Sequence, residues 1–186
     1  MPVSLEQLIA YHCAPALAGI KASNIVGCFR SRIPTAKQDI RMLNRKLNGK
    51  GIFIETLCEC SERLLLIVYR EDKLTAQLRD PGVSEFLRGY GYDPDGSLQD
   101  YLDRLRSRLT NEEFPHEIGA FLGYPLHDIL GFLHREEQEC LLVGDWKVYE
   151  DAESARRLFC RFRQCRNSTF RLVCSGRHLY DMFRAA

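Results

Sequence analysis

The sequence lacks the short motifs that mark several large enzyme classes. It has no phosphate-binding loop, no G-x-G-x-x-G fingerprint, no G-x-S-x-G elbow and no C-x-x-C pair. Each of these motifs sets backbone or side-chain groups around a particular substrate or cofactor. Their absence weighs against nucleotide-dependent enzymes, serine-type hydrolases and simple redox dithiols.

An excess of one charge and a long apolar run are also missing. The formal net charge is +1, so no global field indicates a nucleic acid or a membrane surface as partner. The longest apolar run, Leu64 to Tyr69, is far too short to span a bilayer. The opening segment MPVSLEQLIAYH lacks the basic start and apolar stretch of a secretion signal, so we expect a cytoplasmic protein.

Length and composition predict one domain with an ample core. A chain of 186 residues has the usual size of a single domain, and 45% of its residues are hydrophobic. The eight cysteines are irregularly spaced. In a reducing compartment such cysteines are more often free thiols or ligands than a disulfide framework.

Apolar patterns in the first half predict a small sheet. Ser23 to Arg30 has the composition of a strand, Ile52 to Cys60 alternates between two faces, and Arg63 to Arg70 is apolar on both. The last segment should therefore be a central strand, joined to its predecessor in an antiparallel hairpin. Several helical segments follow. We predict an α+β fold of one domain, residues 1–186, with a small mainly antiparallel sheet and an arginine-rich C-terminal helix at about 151–175.

The segment from Phe114 to Leu133 combines unusual backbone residues with chemically competent ones. It contains two prolines, three glycines, two histidines and two acids. Pro115 and Pro125 suit the first positions of two short helices. Gly119 and Gly131 fall inside those predicted helices, where a glycine indicates close backbone packing or a close ligand.

Cys13 is the first candidate for chemistry. The pattern predicts one helix from Ser4 to His12 and another that begins at Pro15, which leaves Cys13 just before the second amino end. That position lowers the pKa of a thiol and favours the nucleophilic thiolate. The alternative is that Cys13 is a small buried hydrophobic residue, as free cysteines commonly are.

His116 is the candidate base for this thiol. It follows Pro115 near the start of a predicted helix, where the helix dipole keeps an imidazole neutral. Glu117 or Asp128 could orient the ring, which would complete a cysteine–histidine arrangement. A carboxylate in the first turn is, alternatively, an ordinary complement to the helix dipole.

A metal site is the second candidate, built from His12, Cys13, His116 and Glu117. Such a mixed set of ligands suits zinc or iron. However, His-Cys is not a ligand signature, and Pro-His-Glu lacks the second histidine of H-E-x-x-H. We therefore assign no metal ligand from the sequence, and we name no cofactor.

The C-terminal helix offers a basic face as the third candidate. Eight arginines and one acid lie between Arg156 and Arg184. Arg157 and Arg161 fall off the apolar stripe and could dock an acidic protein, a phosphate-bearing cofactor or RNA. Because no aromatic stacking residues accompany them, nucleic acid is disfavoured. A solvated face balanced by acids elsewhere is the simpler interpretation.

Three further residues are candidates for binding. His12 adjoins Cys13 in sequence, and Trp146 and Tyr149 lie in GDWKVYED, where they could form the rim of a pocket. A lone tryptophan on a strand is also a common core residue.

Three segments are distinctive together: HCAPALAGIKASN at residues 12–24, FPHEIGAFLGYPLHDILGF at 114–132 and GDWKVYEDAESARRLF at 144–159. They resemble an uncharacterised bacterial family, a domain of unknown function found mainly in anaerobes. Genes of that family often lie near those for flavodoxins and iron uptake. The resemblance implies a redox or iron-related role and a flavodoxin as a candidate acidic partner, but it supplies no catalytic residues.

The sequence thus supports two hypotheses. The first is a thiol-dependent enzyme for acyl transfer or amide chemistry, with Cys13 as nucleophile and His116 as base. The second is a non-catalytic binding or accessory protein in iron or flavodoxin-linked redox metabolism, in which the arginine-rich helix faces the partner.

Overall fold

The chain forms helices and strands in an irregular order. The structure is a computed structural model that describes residues 4–110, 114–134 and 140–183. Its strands in that part of the chain are β1 (Ser23–Phe29), β2 (Ile52–Glu59), β3 (Arg63–Arg70), β4 (Leu142–Val143) and β5 (Lys147–Val148). The helices are α1 (Leu5–Leu17), α2 (Ala36–Leu47), α3 (Glu71–Leu78), α4 (Pro81–Arg88), α5 (Leu98–Leu109), α6 (Ile118–Phe121), α7 (Leu126–His134), α8 (Ala152–Cys174) and α9 (Leu179–Met182).

A three-stranded antiparallel sheet lies at the centre, in the order β1-β3-β2. The strand that is apolar on both faces, β3, is the central one, as predicted. The register of β2 against β3 shifts between Thr56 and Cys58, a bulge that the plain alternation does not predict. The α+β prediction and the antiparallel hairpin are confirmed.

Helices cover both faces of this sheet because alternate residues of each strand point to opposite sides. On one face, α1 and α2 pack their apolar stripes, which include Ile9, Leu17 and Leu43, against Val26 and Leu66. The other face carries a second core. It contains Ile67, Leu74, Leu102, Phe121 and Ile129, which come from β3 and from four of the helices α3 to α7.

The long helix α8 packs beside α1 and supports a third, smaller core. The hairpin of β4 and β5 contributes Trp146 and Val148 to it, and α8 contributes Ala155 and Phe162. Residues 144–146 form the turn that connects these two short antiparallel strands. The hairpin is held between α7 and α8, next to the first turn after α1.

Polar side chains cap the starts of several helices. Ser4 and Gln7 form a reciprocal capping box at α1, and Ser97 and Asp100 form another at α5. The Asp151 carboxylate accepts a hydrogen bond from the Ser154 N–H at the start of α8. These bonds satisfy amides that the first helical turn leaves without partners.

The prediction of a separate helix at Pro15 is wrong. Helix α1 continues through Pro15 to Leu17, with Cys13 inside it. A proline deletes one helical hydrogen bond. The loss occurs in the last turn, and the buried residues Cys13, Ala14, Ala16 and Leu17 hold that turn against the core.

The glycines inside the two short helices are closely packed, as predicted. A Cβ atom built on Gly131 would lie 2.6 Å from Cγ of Tyr149, and one on Gly119 would lie 3.2 Å from Cγ1 of Ile129. The space beside Gly131 is thus filled by Cβ and the near edge of the ring of Tyr149. These atoms cannot move away unless the backbone of Tyr149 also moves.

We expect Gly131→Ala to lower the free energy of unfolding by about 1–3 kcal/mol, because the steric overlap exceeds the gain in helix propensity. Urea denaturation measures the change. Gly27→Ala is the matched control, since nothing lies within 4 Å of its new methyl group. Equal stability of the two variants would contradict this packing.

Candidate functional site

The turn after α1 places a lysine in the interior. Gly19, at φ +69°, ends the helix in the left-handed conformation that glycine favours, and the Ile20 and Lys21 N–H groups both donate to the Pro15 carbonyl. The chain then enters β1. This geometry leaves Lys21 only 8% exposed, which is unusual for a lysine.

Aromatic rings surround the Lys21 ammonium in place of a carboxylate partner. Its Nζ lies 5.1 Å from the centre of the Tyr124 ring and 5.7 Å from that of Phe162, within the range of cation–π attraction. Among the described residues, no carboxylate lies within 4 Å of it. A buried cation without an ion-pair partner is a sign of function more often than of stability.

Burial lowers the pKa of Lys21 to about 8. The Asp145 carboxylate and Cys13 oppose this shift, and Arg166 adds to it. The unfolded lysine keeps an ordinary pKa of about 10.5, so below pH 8 both states are protonated and the folded state bears a penalty on the order of 3 kcal/mol. Between about pH 8 and about pH 10.5 only the folded state has released the proton, so the penalty on the free energy of folding shrinks as the pH rises through this range.

Lys21 borders a polar cavity of about 500 Å³ between α1, β1 and α8. Arg163 and Arg166 of α8 line it, as do His12 of α1 and Asp145 of the β4–β5 turn. Arg166 holds the Asp145 carboxylate with two hydrogen bonds, of 2.6 and 3.4 Å. Three positive side chains therefore meet one carboxylate that already has its own partner.

His12 does not add to this charge at neutral pH. Its pKa lies below the ordinary value because the ring, although partly exposed, is partly desolvated and lies near the positive charge of Arg166. The unprotonated ring can accept or donate a hydrogen bond. The polar cavity thus combines a positive potential with one neutral imidazole.

An apolar cavity of about 470 Å³ adjoins the polar one. Ile25, Leu122 and Tyr124 line both. Phe132 and Trp146 add aromatic surface to the apolar side. We refer to the two cavities together as the cleft. Positive side chains line the polar side of the cleft, and aromatic rings line the apolar side.

Asp128 holds the apolar wall in place. Its carboxylate, 3% exposed, accepts hydrogen bonds from Trp146 Nε1 at 2.7 Å, from the Tyr149 N–H at 2.7 Å and from the Glu150 N–H at 3.3 Å. These bonds fix the β4–β5 hairpin to α7 and orient the indole. In this geometry Asp128 is a positioning residue for Trp146, and the predicted role beside His116 has no contact to support it.

The predicted lowering of the Cys13 pKa is wrong. Cys13 lies inside α1 with no exposed surface, and burial raises the pKa of its thiol to about 12. A buried thiol of this kind is rarely ionised at neutral pH. The nucleophilic role of Cys13 stays a prediction that the geometry does not favour.

His116 lies on a different surface from Cys13. Its exposed ring packs between Phe114 and Phe132, with ring centres 6.0 and 5.3 Å away, and it lines the apolar cavity. Cys13 belongs to the core between α1 and the sheet. Within the described ranges, no hydrogen bond joins the two side chains.

Glu117 is engaged elsewhere. It has no exposed surface, and its carboxylate accepts a hydrogen bond from Arg108 Nε at 2.7 Å and one from the Tyr92 hydroxyl at 3.5 Å. This buried ion pair joins α5 to the turn before α6. In the part of the chain that the structure describes, no three His, Cys, Asp or Glu side chains are grouped to hold a metal ion.

The arginine-rich helix divides its basic residues between two sides. Arg157 and Arg161 are exposed, and Arg157 pairs with Glu153 at 2.5 Å one turn away. Arg163 and Arg166 instead line the cleft. Docking of an acidic protein such as a flavodoxin on the exposed side stays a prediction.

The chain belongs to a family of proteins of unknown function. The family model described as "Protein of unknown function (DUF3793)" matches residues 9–183, nearly the whole chain. Neither the curated proteins nor the solved structures provide a match. Of the helices in the described ranges, none has the length and apolar character to cross a membrane.

We expect iodoacetamide to label Cys13 in the native protein at least about a hundredfold more slowly than Cys60 or Cys174, because burial hides the thiol and suppresses its thiolate. Both comparison cysteines are exposed, and backbone hydrogen bonds lower the pKa of Cys60. Mass spectrometry of timed digests gives the rates. Labelling in urea is the control and should equalise them, whereas fast native labelling of Cys13 would contradict its burial.

Proposed function

We propose that the protein binds a small organic anion that carries an aromatic or apolar portion. The anionic group occupies the polar cavity, and the apolar portion occupies the apolar cavity. The observation that carries this proposal is the buried Lys21 ammonium, which lies on the Tyr124 ring where the two cavities share a wall.

The charges of the polar cavity support an anionic ligand. Lys21, Arg163 and Arg166 face one carboxylate, Asp145, which Arg166 already binds. A bound carboxylate, phosphate or sulfonate would balance the excess positive charge of the cavity and would pair with the Lys21 ammonium. Guanidinium and ammonium groups make their strongest hydrogen bonds to such anions.

The size and shape of the cleft support a small molecule. Each cavity, about 500 and about 470 Å³, falls within the range of small-molecule sites, ~300–1,000 Å³. Aromatic walls with a few convergent polar groups are the usual form of such sites. The wall that both cavities share places an apolar group of the ligand next to Tyr124.

A calorimetric titration with 2-naphthoate tests the proposal, and 2-naphthalenemethanol is the neutral comparison. Naphthoate should bind and should quench the fluorescence of Trp146, the chain's one tryptophan, which lines the apolar cavity. Lys21→Met should weaken the binding by at least about tenfold, the cost of one charged hydrogen bond. Arg163→Gln should also weaken the binding of 2-naphthoate.

Arg156→Gln is the matched control, because Arg156 is exposed on the same helix and does not line the cleft. Affinity should also fall between pH 7 and pH 9.5 as Lys21 loses its proton. Of the groups around it, the pKa values of Cys13 and Tyr124 are raised to about 12, and the pKa of His12 is lowered from its ordinary value, so these three do not change charge over this range. Failure of naphthoate to bind, or equal affinity for the neutral alcohol, would overturn the proposal.

A further inference from the structure

Resting on the proposed function, we infer that Lys21 is a reactive amine that forms an imine with anionic ligands that carry an aldehyde or ketone group. The inference rests on where the amine lies. It combines deep burial, aromatic neighbours, a lack of any acidic partner within 4 Å in the described residues and direct contact with the cleft.

The surroundings of Lys21 favour the uncharged amine, which is the nucleophile. Lysines that form imines are kept neutral by desolvation or by another cation. Both conditions hold here, because Lys21 is buried and Arg166 lines the same cavity. The lowered pKa agrees with this geometry, since it leaves roughly a tenth of the amine unprotonated at pH 7.

Lys21 can also be reached by a ligand. The side chain borders the polar cavity and, together with Tyr124, a third cavity of about 570 Å³. A carbonyl carbon held in the polar cavity beside an anionic group would lie next to the amine. In the fraction of molecules in which Lys21 is neutral, Arg163 and Arg166 would hold the anionic group by themselves, which leaves the Lys21 amine free to react.

The reaction balances without an oxidant or a reductant. The Lys21 nitrogen forms a bond to the carbonyl carbon, the carbonyl oxygen takes up a proton, and the nitrogen releases one. The hydroxyl then takes up the second proton of the nitrogen and leaves as water as the carbon–nitrogen double bond forms. His12 lines the same cavity with an unprotonated ring, so it can carry protons between nitrogen and oxygen.

The other lysines have different environments. They are Lys37, Lys46, Lys50, Lys73 and Lys147. Lys73 borders the third cavity but is half exposed and lies 3.2 Å from the Asp72 carboxylate. Lys147 is exposed at the apolar cavity, over the Phe132 ring. These two residues are the internal comparison for reactivity.

The test uses the full chain with 6-formyl-2-naphthoate and sodium cyanoborohydride, which reduces an imine to a stable amine. Peptide mapping should show Lys21 modified at least about tenfold faster than Lys73 or Lys147, as expected for a lysine activated by its site. An excess of 2-naphthoate should suppress that modification. Lys73→Arg should leave it unchanged.

Lys21→Arg keeps the positive charge and should still bind 2-naphthoate but should form no adduct at position 21. If 2-naphthoate binds and quenches Trp146 while the aldehyde modifies Lys147, or modifies all lysines at similar rates, the imine chemistry is overturned and ligand binding stands. If 2-naphthoate does not bind to the folded wild-type protein, the proposed function and this inference both fail.

Discussion

The burial of one ammonium group is the constraint on which the site depends. Lys21 leaves solvent because the turn after α1 bends the chain directly into the central sheet, and Gly19 makes that turn possible. The rings of Tyr124 and Phe162 and the negative charge of Asp145 then compensate part of the cost of burying this charge. A buried charge is costly unless it is paired, and we propose that an anionic ligand relieves this cost.

Polar contacts fix the elements around the cleft to one another. Asp128 fastens the β4–β5 hairpin to α7 through Trp146 Nε1 and two backbone amides. The ion pair of Arg166 with Asp145 fastens the tip of that hairpin to α8. The walls of the cleft therefore come from distant parts of the sequence, and they are held at fixed separation before any ligand arrives, which lowers the entropic cost of binding.

Local patterns predicted the architecture because the residues that determine it are neighbours in sequence. The apolar run of β3 and the capping residues Ser4 and Ser97 can each be recognised from a few consecutive residues. The predicted helix start at Pro15 was wrong because tertiary packing of the residues around this proline outweighs its tendency to break a helix near the helix end. The wrong prediction for the pKa of the Cys13 thiol followed from the wrong helix start at Pro15. A cysteine inside a buried helix is desolvated and does not lie at a helix amino end.

The site itself was only partly predictable. His12 and Trp146 were identified as binding candidates, and both line the cleft. Lys21 and Asp145 were not candidates, and Arg166 was only one of several arginines on the C-terminal helix. Their meeting depends on the packing of α1, the hairpin and α8, which no spacing in the sequence reveals. One signal was present: a lysine between the apolar end of α1 and a buried strand has little room to reach solvent.

The most direct test of this account is the ionisation of Lys21 itself. Nuclear magnetic resonance of protein labelled with ¹³C at the lysine ε carbons follows each lysine against pH, and the spectrum of Lys21→Arg assigns the signal. We expect a pKa of about 8 for Lys21. A Lys21 pKa close to 10.5 would show that the ammonium is solvated, and it would contradict the buried, unpaired cation on which the site is built.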